Sequence, residues 1–161
     1  MSLLQSLKPL PVAREVQREE ALSSPAREYA RDRVTLWWED RLKGRGRRTS
    51  DGGFQFGTAL PRGTILRSGD CFVFDDQRLI VTVAERADPV FVITAQTPAE
   101  WGLVAYYIGN NHQPLMLADD GIVCPDVPGM QELLELHGIA FTRATRAFTP
   151  VGQLADHQHA Y

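Results

Sequence analysis

Four histidines carry the most direct chemical promise in this chain of 161 residues, because neutral imidazole is a borderline ligand suited to nickel, copper and zinc. His112 closes the sequence Gly109-Asn110-Asn111-His112, so its ring is expected to project from a loop that ends a helix. Read alone, a loop histidine is more often a solvated side chain than a ligand. His157 and His159 alternate around Gln158 near the end of the chain. Alternate positions of an extended segment project to one side, which suits a flexible chelator, although ordinary tails also contain such pairs. His137 falls in the last turn of an expected helix, where packing or the helix dipole accounts for it, and it is left out of the site. The candidate metal ligands are His112, His157 and His159.

Other chemistries find less support. Cys71 and Cys124 form no CxxC pair and no disulfide framework, and read as small buried hydrophobes. There is no Walker loop, no HExxH and no GxSxG, and Gly44-Arg45-Gly46 lacks the third glycine of a dinucleotide fingerprint. An enzyme pairing His112 with Asp119 or Asp120 is conceivable, but nothing supplies a nucleophile or an oxyanion site, so no catalysis is assigned. Arg41, Lys43, Arg45, Arg47 and Arg48 make a basic run that reads either as a solvated strand edge or as a partner-docking surface.

Two kinds of pattern must position these residues. From Arg27 onward the first half alternates: Val34, Leu36 and Trp38 on one side of a strand, then Phe54 to Phe56 after the turn Asp51-Gly52-Gly53. Cys71 to Phe74 and Leu79 to Val83 flank the polar loop Asp75 to Arg78. In the second half, Val90 to Thr94 reads as a strand and Thr97-Pro98-Ala99-Glu100 combines a cap, a first-turn proline and a capping-box glutamate. Trp101, Val104, Ala105 and Ile108 follow at helical spacing, and Gly109-Asn110 is expected to end that helix. Ala118-Asp119-Asp120-Gly121 signals a hairpin. Met130, Leu133, Leu134 and His137 give a second helix closed by Gly138, and a last strand lies within Ile139 to Phe148. The predicted class is α+β: a β-rich N-terminal domain, partner- or peptide-binding-like, over 27–88, then a ferredoxin-like βαββαβ metal-binding domain over 89–148. Residues 1–26 are read as an appendage and 149–161 as a flexible tail.

Apolar residues at 43% and charged residues at 23% fit a globular chain and argue against disorder, collagen and coiled coil. No apolar run approaches a membrane span and no signal-peptide core precedes Lys8, Pro9 and Pro11, so a soluble cytoplasmic protein without a membrane partner is expected. Net charge is −3, divided as +2 up to Asp88 and −5 beyond it. The 13 acidic residues of the first half argue against nucleic acid, and the acidic second half suits a cation.

The motifs taken together resemble one family, the UreE urease accessory proteins, which are nickel metallochaperones. Arg45 to Gly52 is similar to that family's basic segment before Asp-Gly, and Leu60-Pro61-Arg62-Gly63 with Gly69-Asp70 to its Leu-Pro-Arg-Gly and Gly-Asp marks. Ala105-Tyr106-Tyr107-Ile108-Gly109-Asn110-Asn111-His112-Gln113-Pro114-Leu115 resembles its Ala-Tyr-His-Leu-Gly-Asn-Arg-His-x-Pro-Leu, with Tyr107 and Asn111 standing where that pattern has His and Arg. Phe148, Pro150 and Gly152 precede the tail histidines as the family's Phe-x-Pro-x-Gly does. The resemblance implies a homodimer whose C-terminal domains meet, with His112 facing its symmetry mate and His157 and His159 as auxiliary ligands. It also implies a nickel ion as cargo, with zinc or copper able to take the same site, delivery of nickel for assembly of the urease active site, and docking with an accessory GTPase and the urease apoprotein complex. Pro125-Asp126-Val127-Pro128 holds no histidine, so no peripheral site is expected there. The competing reading is a non-catalytic adaptor in which the basic run docks a partner and the histidines are incidental.

Overall fold

The structure, a computed structural model, describes residues 9–151, which form two compact units dividing between Glu85 and Arg86. The first unit contains strands β1 (Val12–Ala13) and β2 (Gln17–Arg18), helix α1 (Ser24–Arg27), β3 (Ala30–Leu36), helix α2 (Trp38–Leu42), β4 (Arg45–Thr49), β5 (Gln55–Ala59), β6 (Asp70–Phe74) and β7 (Leu79–Glu85). They make a three-stranded sheet, β1-β5-β4, and a four-stranded sheet, β2-β6-β7-β3. The β6–β7 hairpin turns through Asp75 to Arg78, as the flanking alternation predicts. β3 pairs parallel with β7 from Ala30↔Leu79 to Leu36↔Glu85, a long-range pairing for which no local cue exists. Alternate residues of both sheets then share one core: Val34 and Leu36, Phe56, Phe72 and Phe74, Val81 and Val83. Its rings meet edge-on, Phe56 and Phe74 with centroids 5.2 Å apart at 64°, the arrangement that the aromatic quadrupole favours.

Two expectations are corrected here. Residues 12–26, read as part of an appendage, belong to the first unit, because β1 pairs with β5, β2 pairs with β6, and Leu22 and Ala26 are buried with Cys71 and Ile80 on the far face of the hairpin. Strands of two residues are too short to display a period, so their place depends on the edges they join. The strand expected to run through Trp38 stops at Leu36; Trp37 caps α2 with extended backbone and Trp38 is its first residue. Trp38 is buried in the helix, so the apolar spacing that suggested a strand is satisfied by the turn as well.

The second unit runs β8 (Asp88–Ile93), α3 (Pro98–Asn110), β9 (Met116–Ala118), β10 (Gly121–Pro125), α4 (Met130–Leu136) and β11 (Thr142–Arg146). Its sheet order is β11-β8-β10-β9 with every neighbouring pair antiparallel. One face of the central strands, Phe91 and Ile93 with Ile122 and Cys124, packs against Val104 and Ile108 of α3 and Met130 and Leu134 of α4. Thr97 caps α3, its hydroxyl accepting from the Glu100 N–H at 3.2 Å, while the Glu100 carboxylate accepts from the Gln96 N–H at 2.6 Å, one residue further back than a capping box reaches. Gly121 is required where β10 begins, because a Cβ there would lie 2.2 Å from the Ile93 carbonyl oxygen.

Candidate metal centre

α3 ends at Asn110, as the Gly109-Asn110 pair predicts, with Asn111 as its C-terminal cap. The His112 N–H donates to the Gly109 carbonyl at 2.9 Å and the Gln113 N–H to the Ile108 carbonyl at 3.2 Å, the paired bonds of a Schellman motif. That motif needs a left-handed residue at its turning point, and the residue is His112, with φ 55°. Glycine is the favoured occupant because a Cβ makes this conformation cost about 1–2 kcal/mol. The histidine is therefore held exposed at the helix end against a conformational preference, and such backbone outliers gather at functional positions. The only other non-glycine residue of positive φ among the described residues is Arg78, in the β6–β7 turn.

The surroundings suit a cation. The last turn of α3 carries no basic residue, so the negative end of the helix dipole is not offset by a side-chain charge. Asn111 reaches back from the cap, its Nδ2 donating to the Tyr107 carbonyl at 3.0 Å. The outward face of the helix is almost free of charge, Glu100 being the single ionisable carboxylate or base in its 13 residues. Leu103 and Tyr106, 54% and 61% exposed, stand on that face. Sequence reading overlooked both; the cue was the absence of charge at the positions a solvated helix normally fills with it.

The other candidates separate from His112. His137 caps the end of α4 and stacks on Tyr107 with ring centroids 3.7 Å apart and planes at 15°, which gives it a packing role. His157 and His159 lie outside the described residues. The chain that leads to them is nonetheless anchored close by: the Val151 N–H donates to the Leu115 carbonyl at 2.7 Å, three residues after His112. Asp120 is held by a two-bond ion pair with Arg146, at 2.7 and 3.1 Å, and that guanidinium pulls its carboxyl below the usual range. It is thereby occupied as a salt-bridge partner. Cys124 is sealed in the core and burial pushes its thiol up to about 12, so it offers no thiolate at neutral pH. Among the described residues no group of three or more His, Cys, Asp and Glu converges as a metal-binding set.

The basic run divides. Arg41 is fully buried, donating to the Leu66 carbonyl at 3.3 Å and lying 3.4 Å from the Glu85 carboxylate. Arg48 donates to the carbonyls of Asp40 and Lys43, tying α2 to β4, and burial lowers its pKa. Lys43 pairs with Asp40 at 3.1 Å. Arg45 and Arg47 remain on the exposed surface.

Family models for the UreE urease accessory protein match the chain, the N-terminal domain over residues 12–85 and the C-terminal domain over 88–161. The chain belongs to the UreE family. A Verminephrobacter eiseniae urease accessory protein UreE is 33% identical over 147 residues, covering 89% of this chain and 86% of that relative. Its counterpart in Acinetobacter baylyi is 32% identical over 127 residues, covering 78% and 79%. The Paraburkholderia xenovorans UreE is 32% identical over 117 residues, which cover 73% of this chain and 52% of the relative; the chain thus spans about half the length of several relatives it matches. The family is one of accessory proteins and not of catalysts. No helix among the described residues is long and apolar enough to cross a membrane.

Proposed function

We propose that this UreE chain is a nickel metallochaperone that serves urease maturation in the cytoplasm, delivering Ni(II) for assembly of the urease active site. The observation that carries this reading is His112, kept exposed at a left-handed helix end that glycine would fill at lower cost. One imidazole is a weak ligand, but an isologous dimer presents every residue twice across its axis. The uncharged face bearing Leu103 and Tyr106 is the surface we assign to that homodimer, so that His112 of each chain meets the other. Reading the second unit as ferredoxin-like, which its strand order and two helices on one face support, leaves this helix end free to lie at the axis.

His157 and His159 act as auxiliary ligands in this scheme. His157 is six residues beyond Val151, a reach of about 20 Å at full extension, so the tail can return to the His112 turn from its anchor at Leu115. Ligands added or withdrawn by the tail would change the coordination number as metal is received and passed on. Copper would bind such a nitrogen site more tightly than nickel, and zinc would also enter it, so preference depends on geometry and supply. A GTPase of the urease accessory machinery and the urease apoprotein complex are the partners to which metal would pass.

The test is nickel titration calorimetry on the intact protein with light scattering alongside. One tight nickel per dimer is expected, weakened at least about 100-fold in His112→Ala, while circular dichroism and dimer mass stay unchanged. Full affinity in a folded His112→Ala protein would refute the site.

A further inference from the structure

The smaller sheet of the first unit gathers three arginines on its outer face. Arg45 and Ala59 are directly opposed across β4 and β5, so their side chains leave the same face. On the other side of β5, β1 runs parallel with Ala13 opposite Thr58, and Arg14 continues in the direction that brings it beside Ala59. Ala13 points into the core, so by alternation Arg14 takes the outer face that Ala59 and Arg45 share. Two strand spacings, about 10 Å, separate the two arginine backbones, with only the methyl group of Ala59 between them. A third guanidinium comes from beyond the strand end. The Thr64 N–H donates to the Pro61 carbonyl at 3.2 Å and Gly63 takes φ 83°, a type II turn that puts Arg62 at its first corner. Arg14, Arg45 and Arg62 line one groove of about 740 Å³ together with Leu42, Ala59, Leu60 and Pro61. No carboxylate lines it, and the three arginines make no side-chain ion pair or hydrogen bond among the described residues. Elsewhere in the same unit arginines are matched, Arg18 with Asp70, Arg31 with Glu19 and Arg33 with Asp51.

We infer that this groove binds a polyphosphate anion, the diphosphate or triphosphate group of a small molecule. A guanidinium fork meets phosphate oxygens in pairs, and a chain of two or three phosphoryl groups offers oxygens to three forks at once. The volume lies within the range of about 300–1,000 Å³ usual for small-molecule sites. Leu42, Leu60 and Pro61 add apolar lining against which an organic group joined to the phosphates can lie. Arginines kept for solubility need no common destination, whereas these reach one concavity from three segments of the chain. The inference stands apart from the nickel reading and does not rest on it.

The experiment is isothermal titration of the full, metal-free chain with inorganic triphosphate and, separately, with ATP at low salt. Saturable binding of one anion per chain is expected, weakened about fivefold or more by each of Arg14→Ala, Arg45→Ala and Arg62→Ala. Arg67→Ala, which removes an equal charge from the same unit outside the groove, should change it by less than about twofold. Ala59→Leu keeps every charge and fills the space between Arg14 and Arg45, so it should weaken binding at least about threefold. Should Ala59→Leu fail to fold, the four arginine variants decide by themselves. ATP binding more tightly than triphosphate would support the proposal and assign the apolar lining to the nucleoside; equal binding would support it with recognition confined to the phosphates. Absence of saturation with both anions would overturn it. So would an equal loss in Arg67→Ala and the groove variants, which marks general surface charge, or tighter binding of a single-stranded oligonucleotide than of either anion.

Discussion

The two helices of the second unit end in the same hydrogen-bonded motif with different residues at its turning point. At α4, Gly138 sits at φ 64° with its N–H on the Glu135 carbonyl, and Ile139 bonds Leu134. At α3, His112 sits at φ 55° with its N–H on Gly109, and Gln113 bonds Ile108. Both motifs close over one core, since Ile108 and Leu134 are buried together. The glycine end follows from backbone preference alone. The histidine end does not, so the reason for its side chain has to be sought outside the folding of the helix, which is where the proposed metal binding enters.

Three experiments bear on that contrast, in decreasing order of effect. The core beneath both ends contains Cys124, whose thiol burial raises to about 12 from an ordinary value near 9. A group whose folded pKa is raised contributes stability that is fully present below the unfolded value and is lost as pH rises toward the folded one. Denaturant titrations are therefore expected to show the second unit weakening between about pH 9 and 12, and Cys124→Ala to flatten that decline relative to the native protein. A decline unaltered by Cys124→Ala would show that the core shared by the two ends is not sealed as described.

Exchanging the turning residues probes the contrast itself. Gly138→His is expected to cost about 1–2 kcal/mol in chemical denaturation, because a Cβ there meets nothing within 4 Å and only the backbone preference acts. His112→Gly is expected to stabilise by about 1 kcal/mol while abolishing tight nickel binding, the opposite sign for the same geometry. Equal and unfavourable effects at both positions would mean that His112 has a structural role, and the inference from its strain would fall. The smallest effect belongs to Asn111→Ala, which removes the side-chain bond to the Tyr107 carbonyl. About 0.5–1 kcal/mol of stability should be lost, with nickel affinity kept.

Where local chemistry is self-sufficient, the sequence was legible. The Thr97 cap with Pro98, the Gly138 stop and the Asp75 to Arg78 hairpin all depend on residues within a few positions of one another, and all appear as expected. The end of α3 at Gly109-Asn110 was legible too, but the left-handed residue that its closing bonds need, two positions later, was not, because the composition of a stop does not name it. Arg41 and Arg48 looked like surface charge because a basic run normally faces water, but one is buried beside Glu85 and the other crosses to the carbonyls of α2. Leu103 and Tyr106 escaped notice because exposure is invisible until the buried stripe of the helix is set against its sheet.

By itself, the sequence determined the α+β class, the division into two units near Glu85, His112 as the candidate ligand and the family to which the chain belongs. These are written in short-range patterns and motifs, and survive without knowledge of what each element touches. Only the tertiary structure decided that residues 12 to 26 join the first unit, that β3 runs parallel to β7, which arginines of the basic run are buried and which exposed, and that His112 occupies a glycine's conformation. Each of those depends on groups distant in sequence, or on a backbone angle fixed by hydrogen bonds beyond the residue itself, and residue type alone carries no record of either.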